Sequence, residues 1–349
     1  MSVKYKNDQG VVTDLNGVLV KNTNQTKQII KSFTYTGTGT DTASIMFPEE
    51  PAFVVGIVGW SYSHGILVTA QGFVWGAKRV TKCWYNFRYG SDNSCETDIV
   101  AYNGLTMTMN GVDSGSASNW NGIRYTVYYI AKSDLNVRKV TYLGDGSTQN
   151  TITFTETPSF ILGIIGNEAD DGTNDIRAFD PFIWGAPVGA SLYAASGASK
   201  SYRTCNAVDL SYSDNAMTLE RSGRTAIDVM NKSGVSYDVY YVTDDDIEIR
   251  EFTYTPSASD PTFELFGEDA KKIDDIGVII GCNYSPYTNS VSVCAGMCPV
   301  WVYRSRYGST QDTETLTIVD NSPAHYLALA RSSYAANTSY TYYYIPKEV

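Results

Sequence analysis

The sequence predicts an all-β protein: three tandem β-sandwich repeats, immunoglobulin-like or jelly-roll-like, of about 100 residues each behind a short N-terminal arm. Three observations carry that expectation. One apolar pattern recurs without a gap, flanking motifs recur around it in the same order, and helical periodicity is scarce.

The recurring pattern is Ile45 to Gly59 (IMFPEEPAFVVGIVG) and Ile152 to Gly166 (ITFTETPSFILGIIG), both fitting I-x-F-x-x-x-P-x-F-[VI]-[VL]-G-I-[VI]-G. A degenerate third copy has Phe263 and Phe266, then Ile276 to Gly281 (IGVIIG). Upstream of each copy lies a strand start: Phe33-Thr34-Tyr35, Val140-Thr141-Tyr142 and Phe252-Thr253-Tyr254. Downstream lies a Trp, at Trp75, Trp184 and Trp301, expected within strands of the core. Each copy closes on a Tyr-rich strand: Tyr125 to Ile130, Tyr237 to Val242 and Tyr340 to Ile345. The opening Tyr positions are 107 and 112 residues apart, and the closing ones 112 and 103. Four ordered motifs at such spacing mark a repeat.

Each element has a local reason. Residues 1–30 form the arm, whose segment Asn22 to Lys31 is the best helical candidate and short enough to be marginal. Repeat one spans 31–138, repeat two 139–250 and repeat three 251–349, with polar connectors at Ala131 to Lys139 and Thr243 to Arg250. Ile45 and Phe47, like Ile152 and Phe154, alternate with polar positions as a half-buried strand requires. The run that follows is continuously apolar and reads as a central strand, with Pro51 or Pro158 at its beginning because proline lacks an N–H. Gly37-Thr38-Gly39 and Gly144-Asp145-Gly146 read as turns in which glycine supplies positive φ.

Composition excludes several function classes. The chain has 349 residues, 26 basic and 37 acidic, for a net charge of −11. Charged residues are 18%, hydrophobic 43% and aromatic 13%, which argues against disorder. An acidic chain lacks the clustered Lys and Arg that a phosphate backbone needs, so nucleic acid is not an expected partner. No apolar run approaches the ~20 residues of a membrane span, so no membrane insertion is expected. MSVKYKNDQG lacks the apolar stretch of a secretory signal, which points to the cytoplasm of the producing cell. Charge is uneven: the arm carries +2, repeat one 0, repeat two −8 and repeat three −5.

Chemical motifs are few. His64 and His325 lie in different repeats and outside any nucleophile motif, and both read as surface or packing residues. Cys294-Ala-Gly-Met-Cys298 is half of a zinc pattern without its partner ligands. Cys95 and Cys205 fall 20 and 21 residues after their repeat's Trp and read as small buried hydrophobes. No cofactor is expected, and no enzyme activity. The one weak cation candidate is the acidic loop holding Glu168, Asp170, Asp171 and Asp175, whose clustered oxygens suit Ca²⁺. Trp60, Tyr62, Trp120, Tyr284 and Tyr287 lie in Ser/Asn/Gly-rich loops, where aromatic faces flanked by amides and hydroxyls could stack on sugar rings.

The F-T-Y-T-G-x-G strand and turn (Phe33 to Gly39), the repeated Pro-x-Phe motif and the Tyr-rich closing strand resemble the β-sandwich modules of tailed-bacteriophage virion proteins. These include tail fibres, receptor-binding and baseplate proteins, head fibres and capsid decoration proteins. The resemblance covers roughly residues 31–349 and brings no catalytic residue with it. It implies a non-enzymatic virion protein, assembled in the host bacterial cytoplasm and attached to other virion proteins through the arm. The loop aromatics would then contact a host-surface glycan or protein, and the chain would be a candidate homo-oligomer. A capsid decoration or baseplate subunit touching only virion proteins is the alternative.

Overall fold

The computed structural model describes residues 3–6, 12–15, 29–61, 66–70, 72–77, 79–86, 94–110, 119–167, 177–179, 181–186, 188–194, 203–220, 230–255, 262–264, 276–284, 287–288, 294–295, 300–306, 310–321, 324–330, 337 and 339–346. Among them the regular elements are all β-strands, paired antiparallel, and the all-β expectation holds.

Within residues 1–30, β1 (Val3–Lys6) and β2 (Val12–Leu15) pair with each other and, among the described residues, with no other strand. The helix expected over Asn22 to Lys31 is corrected at its end. Ile30 and Lys31 open a strand, because Ile30 is buried opposite Ile130. The rest of that candidate lies outside the described residues.

The first nine-stranded sheet contains β3 (Ile30–Thr36), β4 (Thr42–Met46), β5 (Pro51–Ser61), β6 (Ile66–Ala70), β7 (Phe73–Val74), β8 (Arg79–Asn86), β9 (Ser94–Asn103), β10 (Thr106–Asn110) and β11 (Arg124–Ala131). Its order is β3-β11-β5-β6-β8-β9-β10-β4, with β7 on β5. The outermost strands β3 and β4 are consecutive in the chain, so the sheet must curl until its two ends meet. Phe33 of β3 accordingly packs edge-on against Phe47 just beyond β4, at 5.1 Å between ring centres.

The second sheet repeats that order with β12 (Arg138–Leu143), β13 (Gln149–Thr153), β14 (Phe160–Gly166), β15 (Arg177–Phe179), β16 (Phe182–Ile183), β17 (Val188–Ala194), β18 (Arg203–Ser213), β19 (Ala216–Glu220) and β20 (Ser236–Val242). The last part of the chain has β21 (Arg250–Tyr254), β22 (Thr262–Glu264), β23 (Ile276–Tyr284), β24 (Tyr287–Thr288), β25 (Cys294–Ala295), β26 (Val300–Arg306), β27 (Thr310–Asn321), β28 (Ala324–Ala330) and β29 (Tyr340–Pro346). They form two sheets, β21-β29-β23-β24 with β25 on β23, and β22-β28-β27-β26.

The central strands are buried throughout, as their unbroken apolar runs require: Phe53 to Ile57 and Phe160 to Gly166. Each carries a bulge at the same place. Val55, Leu162 and Ile280 are skipped in the pairing, so that Gly56, Gly163 and Gly281 face Tyr128, Tyr240 and Tyr343. Around β5 and β14 the aromatic packing is nearly identical. Phe47, Trp75, Tyr102 and Tyr129 in the first sheet match Phe154, Trp184, Tyr212 and Tyr241 in the second. Tyr102 and Tyr212 donate their hydroxyls to the carbonyls of Ala77 and Ala186, at 2.8 and 2.7 Å.

The register corrects the alignment of the third Trp. Phe73 and Val74 pair with Val54 and Phe53, whereas the residues in the same relation to Ile279 and Val278 are Cys294 and Ala295. Trp301 instead lies one strand later, in β26. Trp75 and Trp184 occupy turns after β7 and β16 rather than strands, and both are half-buried against the core.

The connectors are shorter than the polar runs predicted, 132–137 and 243–249, because Ala131, Arg138, Lys139 and Arg250 belong to strands. Both are built alike. The Asp134 and Asp246 N–H groups donate to the carbonyls of Ala131 and Thr243, each at 3.0 Å. The next residues, Leu135 and Ile247, are buried in the core. Lys31 pairs with Asp134 (2.9 Å) and Glu49 (2.7 Å), and Arg138 pairs likewise with Asp246 and Glu156. Those two carboxylates raise the Lys31 pKa.

Candidate functional site

The strand ends gather the sequence candidates at homologous places. β5 and β6 form a hairpin whose last pairs are Trp60–Leu67 and Ser61–Ile66. β14 and β15 form the corresponding hairpin, and β23 and β24 a tight one in which Tyr284 pairs with Tyr287. The register makes these tips equivalent, since Gly59, Gly166 and Tyr284 all oppose the first Tyr of their closing strand: Tyr125, Tyr237 and Tyr340.

Trp60 therefore sits at the first tip, and Tyr284 and Tyr287 at the third. Tyr62 and the cation candidates Glu168, Asp170, Asp171 and Asp175 belong in sequence to the first and second tips but lie outside the described residues. So does His64. His325 is opposite Asp320 in β28, and Cys83 is opposite Cys95 while Cys205 is opposite Leu192.

Trp120 belongs to the same end, in the turn that leads into β11. It is half-buried and packs against the core. Its N–H donates to the Tyr125 hydroxyl at 3.0 Å, as Lys232 N–H donates to Tyr237 at 3.1 Å. Tyr125 and Tyr237 are fully buried and stack on Tyr35 and Tyr142, each pair 4.9 Å apart. Burial raises the pKa of Tyr125.

Sequence reasoning missed the polar centre of this end. Asn119 and Asn231 are 2% and 0% exposed. The Asn119 amide donates to the carbonyls of Thr40 and Thr42, both at 2.9 Å, and its oxygen accepts Thr38 N–H at 2.9 Å. Asn231 donates to the Ser147 carbonyl (3.0 Å) and the Asp145 carboxylate (2.7 Å), and accepts Asp145 N–H (3.0 Å). These amides clamp the glycine turns beneath the tips. A Cβ on Gly37 would lie 2.1 Å from the Trp120 carbonyl, and one on Gly144 2.2 Å from that of Lys232. A signal existed: Asn119-Trp-Asn-Gly122 and Asn231-Lys-Ser-Gly234 precede their closing strands at the same distance.

A concavity of about 660 Å³ lies between the first two sheets, lined among others by Trp75, Tyr240, Lys132, Lys139 and Asp245. Several of its charges are committed to structural pairs, Lys132 with Glu50 and Lys139 with Asp238. A pair of carboxylates invisible in sequence is Asp209 opposite Glu220, where burial and then the Glu220 charge raise the Asp209 pKa. Among the described residues no group of three His, Cys, Asp or Glu could hold a metal ion, and no helix is long and apolar enough to cross a membrane.

The arrangement places Trp60, Tyr284 and Tyr287 at hairpin ends, and in the first two sheets buried amides hold the neighbouring glycine turns. No family model matches the chain, and no curated protein matches it either.

Proposed function

We propose that the chain is a non-enzymatic structural protein of a tailed-bacteriophage particle. In this reading three tandem β-sandwich repeats follow an N-terminal arm that docks on other virion proteins, and the hairpin tips contact the host surface. The observation that carries it is the recurrence of one strand order in the first two sheets and of one bulged register in all three central strands, with Trp60 and Trp120 at one end of the first sheet and Tyr284 and Tyr287 at the register-equivalent end of theirs. A repeated rigid frame with chemically different tips suits presentation of contacts, and weak contacts combine when one frame holds them.

The test is binding of the purified chain to cells of the host bacterium. Joint replacement of Trp60, Tyr284 and Tyr287 by Ala, with the circular dichroism spectrum unchanged, is expected to remove at least ~10-fold of the affinity, in line with aromatic hot spots. Unchanged cell binding overturns the tip assignment. If the unaltered chain binds no cells, while particles lacking it lose stability, the decoration or baseplate role replaces attachment.

A further inference from the structure

The three central strands are linked in a cycle. β7 of the first sheet packs on β14 of the second, β16 of the second packs on β23, and β25, which pairs with β23, packs back on β5. By register these are one contact made three times, since β7, β16 and β25 hold the same position on β5, β14 and β23. Phe53 and Phe160, at the same place in β5 and β14, meet edge-on at 6.1 Å. A single continuous core contains Val54, Ile161, Ile280 and Ile345.

We infer that the chain closes on itself as a ring of three units about a pseudo-three-fold axis, the single-chain counterpart of a homotrimer. The inference rests on the repeat reading proposed above. A head-to-tail contact generates a ring when its rotation closes and an open array when it does not. Here the two connectors are built from the same Asp turn and the same buried Leu135 or Ile247, so each applies nearly the same rotation. The third contact, β25 on β5, completes the circle.

Two consequences follow. The surface through which a second copy would add is occupied within the chain, so the chain is a monomer. Equivalent tips also stand at one level along the axis, so Trp60 of the first unit and Tyr284 and Tyr287 of the third belong to one face. That face is not symmetric, because its described tip residues differ, Trp60 and Ser61 at the first hairpin against Tyr284 and Tyr287 at the third.

Small-angle X-ray scattering with light scattering on the full chain tests this. Three touching units of ~13 Å radius of gyration give about 23 Å overall as a triangle and about 30 Å in a row. A monomer of 38.4 kDa near the smaller radius is the expected result. The larger radius overturns the ring, and so does a stable homotrimer of about 115 kDa. Hydrogen exchange distinguishes the two ways of failing. Protected amides across Val300–Arg306 and Tyr340–Pro346 with the larger radius mean repeats in a row, whereas unprotected ones remove the third repeat itself. Ala295→Arg, placed on β25 at the closing contact, should raise the radius while leaving the first two units protected. An unchanged radius in that variant also counts against closure.

Discussion

Replacing Asn119 by Asp changes one group of nearly equal volume and reverses its hydrogen-bonding role toward two carbonyl oxygens. The carboxyl keeps an acceptor for Thr38 N–H but, when ionised, sets negative oxygen against the carbonyls of Thr40 and Thr42, now 2.9 Å from the amide nitrogen. Two net hydrogen bonds at about 1 kcal/mol each are lost, and facing acceptors add to that, for a total of about 3 kcal/mol. In urea, the unfolding midpoint of this part of the chain should fall by about 1.5 M for an m-value of ~2 kcal/mol/M. The pH dependence is diagnostic. Carbonyl partners favour the protonated acid, so the introduced carboxyl has a folded pKa above its unfolded value of about 4. Its stability relative to the ionised state is complete below the unfolded value and lost as pH rises through the folded one. The deficit should therefore be large at neutral pH and shrink in acid. Trp fluorescence across urea series at several pH values reads both. A deficit under ~0.5 kcal/mol, or one independent of pH, would refute the assignment of Asn119 as the clamp of the turn.

Three further outcomes follow from the same geometry. Gly37→Ala and Gly144→Ala should each cost about 3 kcal/mol, since the added carbon lands on a backbone carbonyl that cannot step aside. Gly122→Ala meets open space at φ +76 and should cost only about 1 kcal/mol, so equal thermal shifts would refute the steric argument. At Asp246 burial opposes ionisation, but hydrogen bonds from Thr243 and the Arg138 charge prevail and lower the pKa. A depressed folded pKa contributes stability that is full above the unfolded value of about 3.9 and lost as pH falls through the folded one. Asp246→Asn should accordingly be less stable than the parent at pH 7 and flatten the acid limb of the melting curve, and an unaltered limb would exclude this pair as its source.

Much of the fold is legible locally. The alternation at Ala43, Ile45 and Phe47 marks one buried face, and the runs Phe53 to Ile57 and Phe160 to Ile164 mark strands covered on both faces. The misplaced Trp301 shows where local reading stops. A Trp at a plausible distance looked equivalent, while the pairing that decides equivalence, Ile279 with Cys294, joins residues of unlike character. The bulges at Val55, Leu162 and Ile280 are equally silent, because a skipped apolar residue looks like any other. Asn119 and Asn231 were overlooked because surface turns are rich in Asn, and only burial separates a clamp from a solvated amide. Sequence named the tip aromatics as separate loop residues. That Trp60 in the first sheet and Tyr284 and Tyr287 in theirs hold equivalent places follows from strand direction and register, which no local pattern encodes.

Particle composition tests the central claim most directly. Mass spectrometry of phage particles banded on a density gradient should find this chain at a fixed copy number relative to the major capsid protein, retained after a high-salt wash. A chain recovered only from the soluble fraction of lysed host cells, and missing from infectious particles, would contradict the account.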